Sequence, residues 1–269
     1  MEITPLPNKK VLITGASGLI SGLVMDGLSD KYDFSGLSRR PVGGIPHTAA
    51  SITDAEAIKP AFEGIDTVLH LAAGTGGTTD SWELQMSLTA QGTLNVFQAA
   101  KEAGVKRVVF MSAGSNMMGW QRDESKPYGA MWRGDYADVP DKWDYVDYTW
   151  EPRPLDPYSV CKLFGENLCR LWSDLYGMSM LVMRCGALLP SDHPEARGHY
   201  PGFLSHADAV QMVDRILSAP DDMKFMIFDA ISENDYRWRS TDPAKELLGY
   251  QPTGRAEDWK LGDGKDVDG

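Results

Sequence analysis

The apolar positions of this chain change period several times. Residues 10–14, 66–71, 107–111 and 180–184 are short, near-continuous apolar runs rich in β-branched side chains. Such runs suit strands buried on both faces of a parallel sheet. Between them, residues 18–28, 54–62, 82–103 and 157–176 carry apolar side chains at helical spacing. Strand and helix in alternation predict an α/β fold with a doubly wound parallel sheet and helices on both faces.

The helix starting at Pro157 is the clearest element. Asp156 suits the N-cap and Pro157 the first helical position, while Leu163, Phe164, Leu168, Leu171 and Leu175 predict one apolar face that ends before Gly177. No repeat, low-complexity block or linker divides the sequence, so one domain over 1–269 is expected. Within it, residues 119–155 form an aromatic loop and 185–269 a small substrate-facing part.

The first strand runs into Thr14-Gly15-Ala16-Ser17-Gly18-Leu19-Ile20-Ser21-Gly22 and then a helix. Glycines permit a turn closed to other residues and let backbone approach a pyrophosphate, which the free N–H groups of the helix start would hold. A tight turn alone also uses glycine; the strand before it and the helix after it turn the reading toward a Rossmann dinucleotide site. Gly15, Ser17, Gly18, Leu19 and Ile20 are the expected contacts. Where the second strand ends, an acidic residue normally receives the adenosine ribose. Here Ser38, Arg39 and Arg40 stand instead, with no carboxylate. Two guanidiniums suit a 2′-phosphate, so NADP is the expected cofactor and NAD the alternative. The competing reading is a solvated loop with two surface arginines.

Charge and cysteine use narrow the partners. The 269 residues hold 26 Lys and Arg against 38 Asp and Glu, a net charge of -12. That field repels nucleic acid and anionic membranes, so an anionic ligand needs a local cluster of cations. No apolar run reaches the length of a membrane span and no signal-peptide core precedes the first strand, so a cytoplasmic location is expected. Cys161, Cys169 and Cys185 include no Cys-x-x-Cys pair, and the five histidines lack metal-ligand spacing. No metal is expected. A small carbohydrate and a second copy of the chain, as a homodimer or other homo-oligomer, are the expected partners.

Tyr158 and Lys162 stand four residues apart on one helical face. A phenol titrating near 10 needs a depression of about two to three units to act as a base near neutrality, which an adjacent ammonium and an oxidised nicotinamide favour. Tyr-x-x-x-Lys is common on amphipathic helices; the N-terminal glycine turn makes it specific. With His70-Leu-Ala-Ala73, Gly92-Thr-Leu-Asn-Val96 and Lys245-Glu-Leu-Leu-Gly-Tyr-Gln-Pro252, the chain resembles the extended short-chain dehydrogenases/reductases, the NAD-dependent epimerase/dehydratase family. Tyr158-Ser-Val-Cys-Lys-Leu-Phe-Gly-Glu-Asn-Leu168 and Phe203-Leu-Ser-His-Ala-Asp208 are most similar to the uronate dehydrogenases and related sugar-phosphate dehydrogenases.

The resemblance implies hydride transfer between nicotinamide C4 and a carbinol carbon, with Tyr158 exchanging the hydroxyl proton and Lys162 holding the ribose. It implies further cofactor contacts at Ser51, Ile52, Leu71, Ala72 and Ala73, and substrate contacts at Gly74, Thr75, Asn116 and Met117. A catalytic serine lies beyond the strand 107–111. Anchored on the Ser-Asn pair it is Ser115; anchored on the strand it is Ser112, acting by a bulge, with Ser115 preferred slightly. Either could merely cap the strand end. Ser21 replaces the third glycine of the turn, Thr89 the usual central-helix Asn and Met117 a His, while Ala187 stands where a further polar contact is usual, so a simple uronate substrate is in doubt. Arg197 lies near the family's carboxylate-binding arginine, or is a solvated loop residue.

Residues 119–155 hold Trp120, Trp132, Trp143 and Trp150 with Tyr128, Tyr136, Tyr145 and Tyr148. One or two of these rings are expected to reach the substrate and the rest to pack the loop down. The leading function is an NADP(H)-linked dehydrogenase of a sugar, sugar acid or sugar phosphate. The alternatives are a nucleotide-sugar epimerase or dehydratase with retained NAD, and a non-catalytic NADP(H)-binding sensor. The 85 residues after Arg184 are little material for a nucleotide-sugar domain.

Overall fold

A computed structural model describes residues 8–75 and 79–260. Seven parallel strands form one sheet in the order β3-β2-β1-β4-β5-β6-β7. They are β1 Lys9–Thr14, β2 Tyr32–Ser38, β3 His47–Ala49, β4 Thr67–His70, β5 Arg107–Ala113, β6 Ser179–Cys185 and β7 Phe225–Ala230. The chain winds outward from β1 to β3, then returns to β4 beside β1 and winds the other way. That reversal opens a crevice at the carboxyl ends of β1 and β4.

The apolar runs divide strictly by parity. Val11, Ile13, Val109, Met111, Leu181 and Met183 face one side, where α1 (Leu19–Leu28) and α6 (His206–Leu217) cover them. Leu12, Val108, Phe110, Met180 and Val182 face the other, under α3 (Gly92–Glu102) and α5 (Pro157–Tyr176). Continuous apolar strands are thus two alternating sets, each with its own helical layer.

Four expectations need correction. Residues 54–62 are turns that close in a short 3-10 segment, Lys59–Phe62, because Pro60 and an Asp54 side chain that bonds the Ala57 N–H favour turn geometry. The helix expected over 82–103 is α2 (Trp82–Leu84), a π-helical stretch Gln85–Gln91 and then α3. α6 and β7 fall inside 185–269, the stretch expected to contribute a small substrate-facing part, and they add a helix and the last strand of the sheet, beside β6, that the sequence reading did not include. The apolar face of α5 is also largely misassigned. Leu168 is buried, whereas Phe164, Leu171 and Leu175 are exposed; Gly165, Cys169 and Trp172 meet the sheet side instead, and buried Cys161 meets Met86 of the π-helical stretch. Two further helices are α4 (Tyr128–Arg133), which lies outside the sheet layers, and α7 (Asp242–Leu248), which packs beside β7 with Ala244 in the core on the α1/α6 side.

Candidate active site

The β1–α1 turn is shaped by three features. Gly15 has φ +71°, and a Cβ there would stand 2.9 Å from the Ala72 nitrogen, so both conformation and close approach require glycine. Gly18 is the extended N-cap of α1, and no side chain caps the helix. Its first-turn N–H groups therefore stay available to an anion. The Gly18 N–H and the Ser21 hydroxyl both bond to the Gly15 carbonyl, at 2.9 and 2.8 Å. Ser21 thus turns inward and ties the turn from behind. Ser17 and Leu19 lie along the outer side of the turn, and Ile20 lines the adjoining cavity.

At the end of β2 the Ser38 hydroxyl bonds to the Arg40 carbonyl at 2.7 Å and contacts His47 at 3.0 Å. Arg39 and Arg40 are exposed. Ser51 closes a small turn onto Thr53, and Ile52 is buried against Gly92 while its carbonyl accepts from Asn95 at 2.9 Å. After β4, the Leu71 N–H bonds to the Thr14 carbonyl and the Ala72 N–H to the Thr14 hydroxyl. Thr14 in turn meets buried His70 at 2.6 Å, whose burial pushes its pKa down to about 3, so the ring is neutral. Leu71, Ala73 and Thr75 line the cavity. Gly74 is held on the π-helical stretch: its N–H bonds to Thr89 and its carbonyl accepts from Gln85, both at 3.0 Å. Thr89, standing for the usual Asn, thereby keeps a role in fixing this strand end.

Asp156 caps α5 through the Ser159 N–H at 2.6 Å. One turn in, Tyr158 and Lys162 face a cavity of about 550 Å3, with Ser112, Ser115, Cys185 and the loop 186–188 on its walls. The Lys162 ammonium lies 5.6 Å from the centre of the Tyr158 ring and donates to the Met111 carbonyl at 2.6 Å. Burial lowers its pKa to about 8. Burial raises the Tyr158 pKa, with smaller contributions from Cys185 and Asp156. The protein alone therefore keeps the phenol protonated, opposite in direction to the depression anticipated from the sequence.

The two serines differ in occupation. The Ser112 hydroxyl donates to Glu166 at 2.6 Å, inside a buried group in which Arg184 grips the same carboxylate at 2.9 and 2.7 Å and Asn116 donates to both Ser112 and Glu166. Ser115 stands 2.9 Å from the Ser159 hydroxyl, which is 2.8 Å from Asp156. Its protein contact is with a neutral group that a substrate oxygen can replace.

Two anticipated substrate contacts lie away from the cavity. Asn116 is buried in the Glu166 group, and Met117 packs among Tyr128, Met131 and Trp238. Both side chains turn inward because residues 114–122 coil as a 3-10 segment rather than extending along the cavity. Arg197 is exposed and runs against Gly134, where a Cβ would stand 2.9 Å from its Cδ, whereas its neighbours Ala196, Gly198 and His199 line the cavity.

Of the eight aromatic side chains in 119–155 named above, Trp132 lines the cavity. Five others pack the segment down, Trp120 edge-on to Trp150, Tyr128 stacked on Trp238, and Tyr136 and Trp143 on Tyr236, while Tyr145 and Tyr148 are exposed. Trp238 and Arg239, from the segment after β7, also line the cavity and were not anticipated. Arg239 pairs with buried Asp229 at the end of β7. Only a pairing 10 residues apart across a strand end could have signalled them, and no local pattern carries it. Among the described residues no three His, Cys, Asp or Glu side chains gather as metal ligands, and no helix is long and apolar enough to cross a membrane.

The chain is similar to known proteins over nearly all of its length. The NAD-dependent glucose-6-phosphate dehydrogenase of Haloferax volcanii is 30% identical over 256 residues, which cover 91% of this chain and 93% of that protein. The L-arabinose 1-dehydrogenase (NAD(P)(+)) of the same organism is 28% identical over 253 residues, covering 90% and 96%. A solved structure of a mutant uronate dehydrogenase from Agrobacterium tumefaciens complexed with NAD matches with a TM-score of 0.77 at 22% identity, over 94% of this chain and 87% of that one. This last likeness is one of fold. The family model described as NAD dependent epimerase/dehydratase matches residues 11–223, and with a glycine turn at the β1/β4 crevice the chain belongs to that family.

Proposed function

We propose that this protein is an NADP(H)-linked dehydrogenase that transfers a hydride between nicotinamide and a carbinol carbon of a sugar, sugar acid or sugar phosphate. The observation that carries the reading is the convergence of Tyr158, Lys162 and Ser115 on one cavity that opens beside the β1–α1 turn. The relatives support the class, since their names describe dehydrogenases of a sugar phosphate and a sugar.

The residues fit a dinucleotide. The uncapped start of α1 offers N–H groups for the pyrophosphate, and Arg39 and Arg40 offer exposed cations beside the adenosine end. When bound, a nicotinamide would supply or accept the hydride. Ser115 donates a hydrogen bond to the substrate oxygen, because its hydroxyl is free of the carboxylate that holds Ser112. The Tyr158 phenol, kept protonated by burial, gives its proton to a carbonyl oxygen in the reducing direction. In the oxidising direction the phenolate must form, and the Lys162 ammonium beside it lowers that cost. Lys162 also holds the cofactor ribose. Ser51, Ile52, Leu71, Ala72 and Ala73 form the wall for the adenosine and nicotinamide halves, and Thr75 faces the substrate.

The test follows nicotinamide absorbance with each cofactor over a panel of aldoses, uronic acids and aldose phosphates. Turnover with at least one of them, faster with NADP than with NAD, is the expected result. A silent panel, or activity that needs no added cofactor, would overturn it.

A further inference from the structure

The cavity carries an unusual charge for this protein. The chain has a net charge of -12, yet no Asp or Glu side chain lines the cavity among the described residues, while Lys162 and Arg239 do. The buried charges around it are Lys162, Arg184 and Arg239 against Glu166 and Asp229. Glu166 is gripped by Arg184 through two hydrogen bonds, and Asp229 takes one hydrogen bond from Arg239, through Nη1. With Lys162 protonated, one positive charge is left over at the cavity wall. A buried cation without a counter-charge is costly, and an incoming anion relieves that cost.

Arg239 is built to meet such an anion. It is 5% exposed, so it is held within the fold rather than in solvent. Its guanidinium lies against Gly114, where a Cβ would come within 2.2 Å of Nη1 and 2.3 Å of Nη2, and Nη2 is 3.8 Å from the Cβ position of Gly202. Both glycines line the cavity, and Gly114 adjoins Ser115. Any larger residue at 114 would displace the guanidinium. Nη2 has no acceptor among the described residues, and it is not among the buried polar atoms sealed without a partner, unlike Nη1 of Arg184. The planar fork thus keeps one arm on Asp229 and presents the other to the cavity next to the serine that meets the substrate oxygen.

We propose that Arg239 receives an anionic substituent of the substrate, a carboxylate or a phosphate, and so sets a preference for charged over neutral sugars. This rests on reading the cavity as a sugar dehydrogenase site. Asp229 is a positioning residue: it fixes the guanidinium from behind without touching the substrate. The role differs from the one anticipated for Arg197, which runs against Gly134 outside the cavity lining.

The test compares D-glucuronate, D-glucose 6-phosphate and D-glucose on the purified full chain. kcat/KM is measured with saturating cofactor, and binding by calorimetry on the cofactor-loaded protein. Wild type is expected to prefer one of the two anions over glucose by about 10- to 100-fold, since a charge-assisted hydrogen bond gives roughly one to two decades. The better anion identifies carboxylate or phosphate. Arg239→Gln should bring that ratio down at least about tenfold. Because this variant leaves Asp229 without its partner, Arg239→Gln/Asp229→Asn is made alongside it to keep a neutral hydrogen-bonding pair, and NADPH affinity by fluorescence reports that the fold and cofactor site persist. A wild type that favours glucose, or a ratio unchanged in the double variant, overturns the proposal while leaving the dehydrogenase reading intact. Without turnover of any sugar the dehydrogenase reading fails by itself; anion binding that the double variant loses still supports Arg239, and its persistence there refutes it.

Discussion

The two halves of the crevice are made differently. The half beside β1 is backbone: a turn of nine consecutive residues whose carbonyls and N–H groups do the work, with Gly15 at φ +71° and Ser21 tying it from within. The opposite half is side chains drawn from β5, α5, the 3-10 segment around Ser115 and the segment after β7. A backbone site is local and tolerates few substitutions at its glycines. A side-chain site is assembled over long sequence separations and changes its chemistry one residue at a time, which suits a conserved kind of cofactor and a variable substrate.

The sharpest way to break this comparison is at Tyr158. Tyr158→Phe should lower kcat by about 10²–10⁴ while the Kd for the dinucleotide moves less than about threefold, since the phenol acts on the substrate proton. A variant retaining half of its turnover would end the proposed mechanism. The serines come next. Ser115→Ala should cost about 10- to 100-fold in kcat/KM, whereas Ser112→Ala, which removes a donor from the buried Glu166 group, should chiefly lower stability, by about 1–3 kcal/mol. Denaturant melts beside kinetics separate the two, and the reverse pattern would move the catalytic role to Ser112.

On the backbone half, Arg39→Ala/Arg40→Ala should weaken NADP by about 10- to 100-fold and leave NAD nearly unchanged. Equal losses for both cofactors would mean that the arginines do not read the 2′-phosphate. The smallest effect concerns Lys162, whose pKa is lowered to about 8 by burial. Between about pH 8 and the unfolded value near 10.4, the unfolded chain holds a proton that the folded chain has lost, so this group's contribution to stability rises with pH across that window. Below pH 8 its full cost is present. Lys162→Met should therefore be more stable than wild type near pH 7, by about 1–3 kcal/mol after loss of the bond to Met111, with the gap closing toward pH 10. A gap that widens with pH would contradict the buried-amine account.

What could be read before the fold was known follows the same division. The strand runs, the glycine turn and the bounds of α5 were legible because each is set by neighbours within a few residues. The outward face of α5 was not: Phe164, Leu171 and Leu175 look like core by period, yet Gly165, Cys169 and Trp172 face the sheet side. Gly165 shows why, since a Cβ there would come within 2.3 Å of the Phe110 ring. Close approach of helix to sheet selects the small-residue face, and hydrophobicity alone does not report it. β3, with three residues, is too short for any periodic signal. Arg239 and Trp238 were invisible because nothing local links them to Ser115, more than a hundred residues earlier.

The Gly15 carbonyl accepts from Gly18 and Ser21 while the Gly15 N–H donates to Leu37 at 2.8 Å, so the turn is already closed on its own atoms. A loop fixed in this way loses little freedom when a dinucleotide arrives, and the ordering entropy of that half of the crevice is small. The slow motions of a catalytic cycle then have to arise elsewhere. Microsecond-to-millisecond exchange in relaxation experiments should therefore leave the β1–α1 turn quiet, both with and without a dinucleotide.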